Sequence, residues 1–323
     1  MLTSLPDCSI NVPNTFLVPD KITQLIADIQ TGNINALARG ITIVENELEH
    51  YGQILLQLKN VPNSRIIGIT GPPGAGKSTL VNALLNQWIS KGKKVAVLAV
   101  DPSSPFNYGA LLGDRIRMSA FYANPNVYIR SLASRGALGG LNAKIIEITD
   151  IVKQAPFDYI LVETVGVGQS EVEIAGLADC TIVALVPEGG DEVQTLKAGI
   201  MEIADIFVVN KADRDAAEAL YRNLRILAHE KATDTETPVI KTIATDSTGL
   251  EELVSAIESI IEQHNRNTEK KIQLLTEKSW QLIQSQRMKD INKGLLKEQL
   301  SKLYTENDFN LYSFIGKFAG NEQ

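Results

Sequence analysis

The chain has 323 residues, a formal net charge of −7 at pH 7 and a hydrophobic fraction of 44%, which is typical of a globular protein with one large domain and appendages. The acidic balance excludes a chain-wide field that attracts nucleic acid or anionic membranes. Its two cysteines, Cys8 and Cys180, are too few for a disulfide framework or a cysteine metal cluster, and they are typical of a reducing cytoplasm.

The first 20 residues have no basic start followed by a long apolar stretch, and they contain no arginine. We therefore expect no secretory or mitochondrial leader. No run in the sequence reaches the roughly 18 uncharged apolar residues of a membrane span. We expect a cytoplasmic protein with no membrane partner and no nucleic-acid partner.

The region Asp20 to Lys59 has apolar residues at three- and four-residue spacings, which predicts two helices broken near Thr31 to Asn33. From Arg65 onward, near-continuous β-branched runs alternate with helical patterns. Such runs are typical of parallel strands buried on both faces. The predicted strands are RIIGIT, KVAVLAV, FDYILVET, CTIVALV, DIFVVN and PVIKTIA. The alternation predicts an α/β fold with a doubly wound, mostly parallel sheet.

Helices are predicted between these strands at Lys77–Lys91, Asn142–Gln154 and Asp215–Lys231. After about His264 the chain becomes rich in Lys, Gln and Leu at helical spacing, which predicts a helical arm. We therefore expect an N-terminal helical extension over 1–62, a nucleotide-binding domain over 63–264 and a C-terminal helical arm over 265–323.

The stretch GPPGAGKST directly follows the first predicted strand and opens a predicted helix. It matches the pattern G-x-x-x-x-G-K-[ST] of a phosphate-binding loop, in which glycines let backbone N–H groups turn toward phosphate oxygens. Lys77 supplies positive charge to the outer phosphates, Ser78 offers a hydroxyl to Mg²⁺, and the helix N-terminus faces the anion. The residues expected to hold the nucleotide phosphates are Gly71, Gly74, Ala75, Gly76, Lys77, Ser78 and Thr79.

The segment NKAD closes the predicted strand DIFVVN. The Asp213 carboxylate can accept hydrogen bonds from the guanine ring N–H and exocyclic amine, whereas adenine would leave it unpaired. Asn210 would brace the loop, and the stem of Lys211 would cover the base. Ala244, in the loop after the last strand, is a second expected base contact. The sequence therefore predicts GTP and GDP rather than ATP.

The segment VETVGVGQSE places Glu163 at the end of an apolar strand, at the sheet edge where ligands bind in this fold. Glu163 is expected to hold Mg²⁺ directly or through water, although a helix-capping role is the alternative. Gly166 can offer its N–H to a γ-phosphate. Val167 follows this glycine where Ras-type proteins carry a water-orienting glutamine, so we expect slow intrinsic hydrolysis.

Asp101 and Asp114 lie in a Pro-, Ser- and Gly-rich stretch after the second predicted strand. Both are candidates to hold Mg²⁺ or polarise water, and a solvated connector with ordinary charges is the alternative. A further loop, Pro187 to Gly199, leaves the strand CTIVALV. In that loop Asp191 and Lys197 are candidates to contact a partner, and helix capping by Asp191 is an equal competitor.

These motifs together resemble the MeaB/ArgK family of P-loop GTPases, the chaperones of adenosylcobalamin-dependent methylmalonyl-CoA mutase. The most specific segments are ETVGVGQSE and SRGALGG, and the resemblance extends from about Asn35 to Asp213. It implies a G domain of the SIMIBI class with an N-terminal helical extension and a C-terminal arm used for homodimerisation. One departure is Glu188, where many relatives have a glycine or another small residue.

The resemblance also implies a function. Family members use GTP to gate adenosylcobalamin delivery to the mutase and to protect or reactivate it. It implies three switch loops, which fall on Asp101–Met118, Thr164–Glu173 and Pro187–Lys197, and a mutase that accelerates hydrolysis by remodelling them.

We consider four alternative functions for this chain. A kinase of the type associated with basic amino-acid transport would need an acceptor pocket and a base, and no such constellation stands out. A nickel-insertion GTPase would commonly carry His-rich or Cys–His sites, which three scattered histidines and two distant cysteines disfavour. A chaperone of a different acyl-CoA mutase and a slowly hydrolysing nucleotide-gated scaffold stay open.

Overall fold

The computed structural model describes residues 20–59, 65–101, 118–134, 141–164, 174–187, 203–231, 236–266, 268–304 and 310–316. The chain divides into two compact units, Met1–Lys271 and Ile272–Gln323. The domain limits expected from the sequence stay a prediction. No helix in the described ranges is long and apolar enough to cross a membrane.

The first unit is built on a seven-stranded sheet in the order β3-β2-β4-β1-β5-β6-β7, with every neighbouring pair parallel. The strands are β1 Arg65–Thr70, β2 Val95–Asp101, β3 Val127–Ala133, β4 Tyr159–Glu163, β5 Cys180–Leu185, β6 Ile206–Asn210 and β7 Val239–Thr242. The predicted doubly wound α/β fold is confirmed. The strand that leads into the phosphate loop lies at its centre.

The edge strand β3 was missing from the predicted set. It carries polar residues at its middle, Arg130 and Ser131, and only three of its seven residues are fully buried. Its polar middle interrupts the continuous apolar run by which the inner strands were recognised, whereas β7, at the opposite edge, was recognised from the run PVIKTIA.

Helices cover both faces of the sheet. Helix α4 (Lys77–Ser90) and helix α7 (Leu250–Arg266) pack together on one face, where the side chains of Leu84, Trp88 and Ile257 are fully buried. Helix α6 (Ala217–Lys231) packs on the other face against β6 and β7. Because all seven strands are parallel, their carboxyl ends lie at the same edge of the sheet, where ligands bind in such folds.

Among the described residues before the sheet, three helices are present, α1 (Asp20–Gln30), α2 (Ile34–Glu45) and α3 (Tyr51–Gln57). The sequence predicted two, because the apolar spacing runs through the break between α2 and α3. Glu47 and His50 have φ values of 46° and 71° in that turn. No glycine marks it. Such left-handed backbone is uncommon outside glycine and is maintained by surrounding contacts.

Ion pairs tie this helical extension to the sheet domain. Arg130 Nη2 lies 2.7 Å from Glu45 Oε2, and Lys144 Nζ lies 2.8 Å from Glu47 Oε1 and 3.1 Å from Glu147 Oε1. Burial is the largest single influence on Lys144 and lowers its pKa, but the two carboxylates together outweigh it, so the net pKa is raised. The Lys144–Glu47 pair therefore links the left-handed turn at Glu47 to the sheet domain.

Lys144 directly precedes helix α5 (Ile145–Val152), against which α2 packs. The described residues after Arg266 form three helices, as predicted for this region, α8 (Thr268–Arg287), α9 (Lys293–Leu303) and α10 (Leu311–Gly316). Asn292 caps α9, because its Oδ1 accepts from the N–H groups of Gly294 and Leu295. Within the second unit, Trp280 is 59% exposed.

Candidate functional site

Three positions of the loop between β1 and α4 have a left-handed backbone that favours glycine. Gly71, Gly74 and Gly76 have φ values of 138°, 81° and 80°. A Cβ on Gly71 would collide with the carbonyl oxygen of Ala184, and one on Gly76 would lie 2.5 Å from Asn210 Nδ2. The loop is therefore pressed against β5 on one side and against the end of β6 on the other. This close approach leaves the concave side of the loop for a ligand.

Lys77 and Ser78 open helix α4 and are both buried. Lys77 Nζ donates to the carbonyl oxygens of Gly71 and Pro72, over 2.7 and 3.0 Å. The ammonium group therefore folds back over the mouth of the loop. A phosphate bound there would meet this charge together with the N-terminus of α4.

Two acidic residues end neighbouring strands beside this lysine. Asp101 closes β2 and Glu163 closes β4, and they are 5% and 3% exposed. Ser78 Oγ donates to Glu163 Oε1 over 2.7 Å, so the structure brings Ser78 and Glu163 together. Asp101 lies on the adjacent strand, and its carbonyl oxygen accepts from the N–H of Ser134. These three side chains offer hard oxygen donors, the ligand type that Mg²⁺ prefers.

Asn210 joins the phosphate loop to the opposite end of the site. Its Nδ2 donates to the carbonyl oxygen of Ala75 over 2.9 Å. Its Oδ1 accepts from Thr242 Oγ1 over 3.2 Å and from the N–H of Ala244 over 3.3 Å. One buried amide thus joins the end of β6 to two segments that are distant in sequence, the phosphate loop and residues 242–244.

Lys211 approaches the phosphate loop from the same side. Its Nζ donates to the carbonyl oxygen of Gly74 over 2.9 Å, and its φ is 55°. The side chain therefore lies across the gap between the β6–α6 loop and the phosphate loop. In this position its methylene stem can cover a flat ligand.

A cavity of about 190 Å³ opens beside Asn210. Its lining residues are Gly76, Thr79, Asn210, Lys211, Asp213, Arg214, Ile243, Ala244 and Thr245. Six of these were named from the sequence. Arg214, Ile243 and Thr245 were not, although each is adjacent in sequence to a named residue. A mixed polar and apolar cavity of this kind fits a heterocyclic base.

Two predicted site residues, Asp114 and Gly166, lie outside the described residues. The same holds for most of the three predicted switch loops, of which the structure describes only Asp101, Met118, Thr164 and Pro187. The described candidates form two clusters, one around the phosphate loop and one around the base-sized cavity. Asn210 links them.

Comparison with known proteins gives a consistent result. The family model described as "Methylmalonyl Co-A mutase-associated GTPase MeaB" matches residues 37–298. A protein of Pyrococcus horikoshii named as a GTPase is 41% identical over 302 residues, which cover 90% of this chain and 95% of that protein. GTPase ArgK of Escherichia coli is 33% identical over 302 residues, which cover 90% of this chain and 88% of ArgK.

Among solved structures, one titled as a LAO/AO transport system kinase superimposes with a TM-score of 0.65 at 25% sequence identity. The match covers 94% of this chain and 98% of that one. The similarity therefore extends well beyond the phosphate loop.

Proposed function

We propose that this chain, which belongs to the MeaB family of methylmalonyl-CoA mutase-associated GTPases, is a chaperone that gates adenosylcobalamin loading and protects or reactivates methylmalonyl-CoA mutase. The chain is a P-loop GTPase and binds GTP and GDP. The observation that supports the chaperone role best is the family match over residues 37–298, and the Asn210 bridge between the phosphate loop and the base-sized cavity supports its dependence on nucleotide.

In the proposed site, each nucleotide group meets a separate set of residues. The phosphates lie in the loop Gly71–Thr79, and Lys77 exchanges its bonds to the Gly71 and Pro72 carbonyls for bonds to phosphate oxygens. That exchange gives a charge-assisted contact in place of two neutral acceptors. The base occupies the cavity beside Asn210, where Asp213 pairs with guanine and Ala244 and Lys211 make further contacts.

Mg²⁺ fits the donor set of Ser78, Glu163 and Asp101, with Asp114 a further candidate. The cation would neutralise charge on the outer phosphates. A hydroxyl that donates to a carboxylate keeps its oxygen lone pairs, so Ser78 can bind a cation while it stays bonded to Glu163. Asp101 and Glu163 are both buried, and this favours a positively charged partner, because burying an isolated carboxylate costs free energy.

Hydrolysis converts GTP and water to GDP and phosphate, and we expect it to be slow without a partner. Val167 occupies the position after Gly166, and its apolar side chain cannot orient an attacking water. Gly166 would hold the γ-phosphate through its N–H. The mutase would act on the switch loops so that the attacking water is oriented and hydrolysis is faster. The C-terminal arm over 265–323 would form a homodimer.

Cofactor transfer tests this function. Apo-mutase is incubated with adenosylcobalamin and the chain in the presence of GTP, GDP or a non-hydrolysable GTP analogue, and holoenzyme is measured over time. We expect nucleotide-dependent loading or reactivation, and Lys77→Ala should remove that dependence. Loading that is the same with every nucleotide, and the same with Lys77→Ala, would contradict the gating role. A response restricted to another acyl-CoA mutase would identify that enzyme as the partner instead.

The similarity to the solved structure titled as a LAO/AO transport system kinase supports one second candidate, a P-loop kinase. A kinase transfers the γ-phosphate to an acceptor, whereas a GTPase releases it. Radiolabelled GTP and ATP, incubated with basic amino acids or with cell protein, separate the two. Release of free phosphate with no labelled product supports the GTPase chaperone, and a labelled acceptor would support the kinase.

A further inference from the structure

Two buried threonine hydroxyls join the strand that leads into the phosphate loop to the strand that ends in Glu163. Thr164 Oγ1 donates to Thr70 Oγ1 over 2.9 Å, and the two residues are 2% and 0% exposed. Thr70 ends β1 directly before Gly71, and Thr164 directly follows Glu163. The contact therefore lies between the two segments that hold phosphate and cation.

The Thr70 side of this contact is anchored independently. Thr70 pairs with Val183 of β5, and Gly71 lies so close to the carbonyl oxygen of Ala184 that no Cβ would fit. The end of β1 is therefore fixed by the centre of the sheet. Because Thr70 is fixed, its hydrogen bond with Thr164 restrains the position of Thr164 as well.

The Thr164 side includes the end of β4. The N–H of Thr164 donates to the carbonyl oxygen of Ile69 over 3.1 Å, directly after the register pair Ile69 and Glu163. Thr164 thus binds β1 through its backbone and its side chain. Removing the hydroxyl would leave one backbone bond from Thr164 to β1, in addition to the pairing of Glu163 with Ala99 of β2.

We propose that Thr164 is a positioning residue for the magnesium site, because its bond to Thr70 holds the Glu163 carboxylate where Ser78 also reaches. The proposal rests on the metal roles proposed above for Ser78 and Glu163. A carboxylate displaced by a fraction of an ångström loses favourable geometry with the small Mg²⁺ ion, which demands near-ideal octahedral coordination. Thr164 therefore acts on the cation through Glu163 and touches neither nucleotide nor metal.

The test measures Mg²⁺ binding through nucleotide retention rather than through turnover. Release of a fluorescent GDP analogue is followed at a series of free Mg²⁺ concentrations. Loss of one neutral hydrogen bond costs about 0.5–1.5 kcal/mol, so Thr164→Val should raise the half-maximal Mg²⁺ concentration about two- to twelvefold. Thr164→Ser keeps the donor and should stay close to wild type. Release in EDTA should be the same for all three proteins.

A matched control separates positioning from stability. Thr149 is also fully buried, and its Oγ1 donates to the carbonyl oxygen of Ile145 over 2.6 Å within α5. Thr149→Val should lower the unfolding free energy without changing the Mg²⁺ requirement. The double variant Thr70→Val with Thr164→Val leaves neither hydroxyl of the pair unpartnered, so it should recover stability and keep the raised requirement. If Thr164→Val does not fold, the Mg²⁺ requirement of the double variant provides the same test.

The outcomes distinguish this proposal from the one on which it rests. If GDP release from wild type ignores Mg²⁺, or if Ser78→Ala and Glu163→Gln leave its Mg²⁺ dependence unchanged, the metal roles fail. If those variants behave as proposed but Thr164→Val keeps the wild-type requirement, only the role of Thr164 is overturned. A requirement that returns to normal in the double variant would show that the contact is merely structural.

Discussion

Substitution of Asn210 by alanine removes the amide that links the phosphate loop to the base cavity. Three hydrogen bonds are lost, to Ala75, Thr242 and Ala244. At about 1 kcal/mol for each neutral bond, the unfolding free energy should fall by roughly 3 kcal/mol. GDP affinity should fall at least tenfold, because the two halves of the site no longer share a fixed geometry.

Ligand-dependent denaturation in urea measures both effects. GDP at 100 times its wild-type Kd stabilises the wild-type protein by about 2.7 kcal/mol, and a tenfold weaker complex gains only about 1.4 kcal/mol. Gln154→Ala is a matched control, since this buried amide also makes three hydrogen bonds, to Lys59 and Asp150, far from the site in the fold. The control should lose stability and keep the full GDP increment. An Asn210→Ala protein that keeps that increment would refute the bridging role.

Three further predictions address charge and base choice. Lys77→Ala should fold but release no phosphate from GTP, and normal turnover by the folded variant would remove the role of the loop lysine. Asp213→Asn should shift preference from GTP toward xanthosine triphosphate, because the new amide donates where xanthine accepts; unchanged guanine selectivity would exclude that contact. Burial, reinforced by the carboxylate of Glu258, raises the pKa of Tyr159 to about 12 from 10.0. Its folded-state pKa is raised, so its contribution to stability is complete below pH 10 and is lost as the pH rises toward 12. Urea unfolding from pH 9 to 11.5 should show this decline, and Tyr159→Phe should flatten it; an equal decline in the variant would assign the effect to other groups.

The inner strands were predictable because burial on both faces selects continuous apolar runs, as in β1 and β5. The edge strand β3 was not, because the partners of Arg130 are Glu45 and Thr42 of α2, 85 and 88 residues earlier in the chain. The break after α2 was missed for a similar reason. Glu47 takes a left-handed conformation with no glycine to signal it, and its partner Lys144 is remote in sequence.

The named site residues came from motifs in which local sequence alone specifies the chemistry. The glycines of the phosphate loop and the segment Asn210 to Asp213 are of this kind. The threonine pair was not predictable, because Thr70 and Thr164 meet only through the parallel pairing of β1 with β4. Arg214 and Thr245 line the cavity beside named neighbours, and only the path of the chain shows that they face it.

Steady-state phosphate release from GTP and from ATP, with and without purified methylmalonyl-CoA mutase, tests both the nucleotide and the partner proposed for this chain. We expect slow turnover of GTP alone, several-fold acceleration by the mutase, and no comparable turnover of ATP. Turnover of GTP that ignores the mutase would contradict the partner proposed here. A preference for ATP would contradict the base pocket built around Asn210 and Asp213.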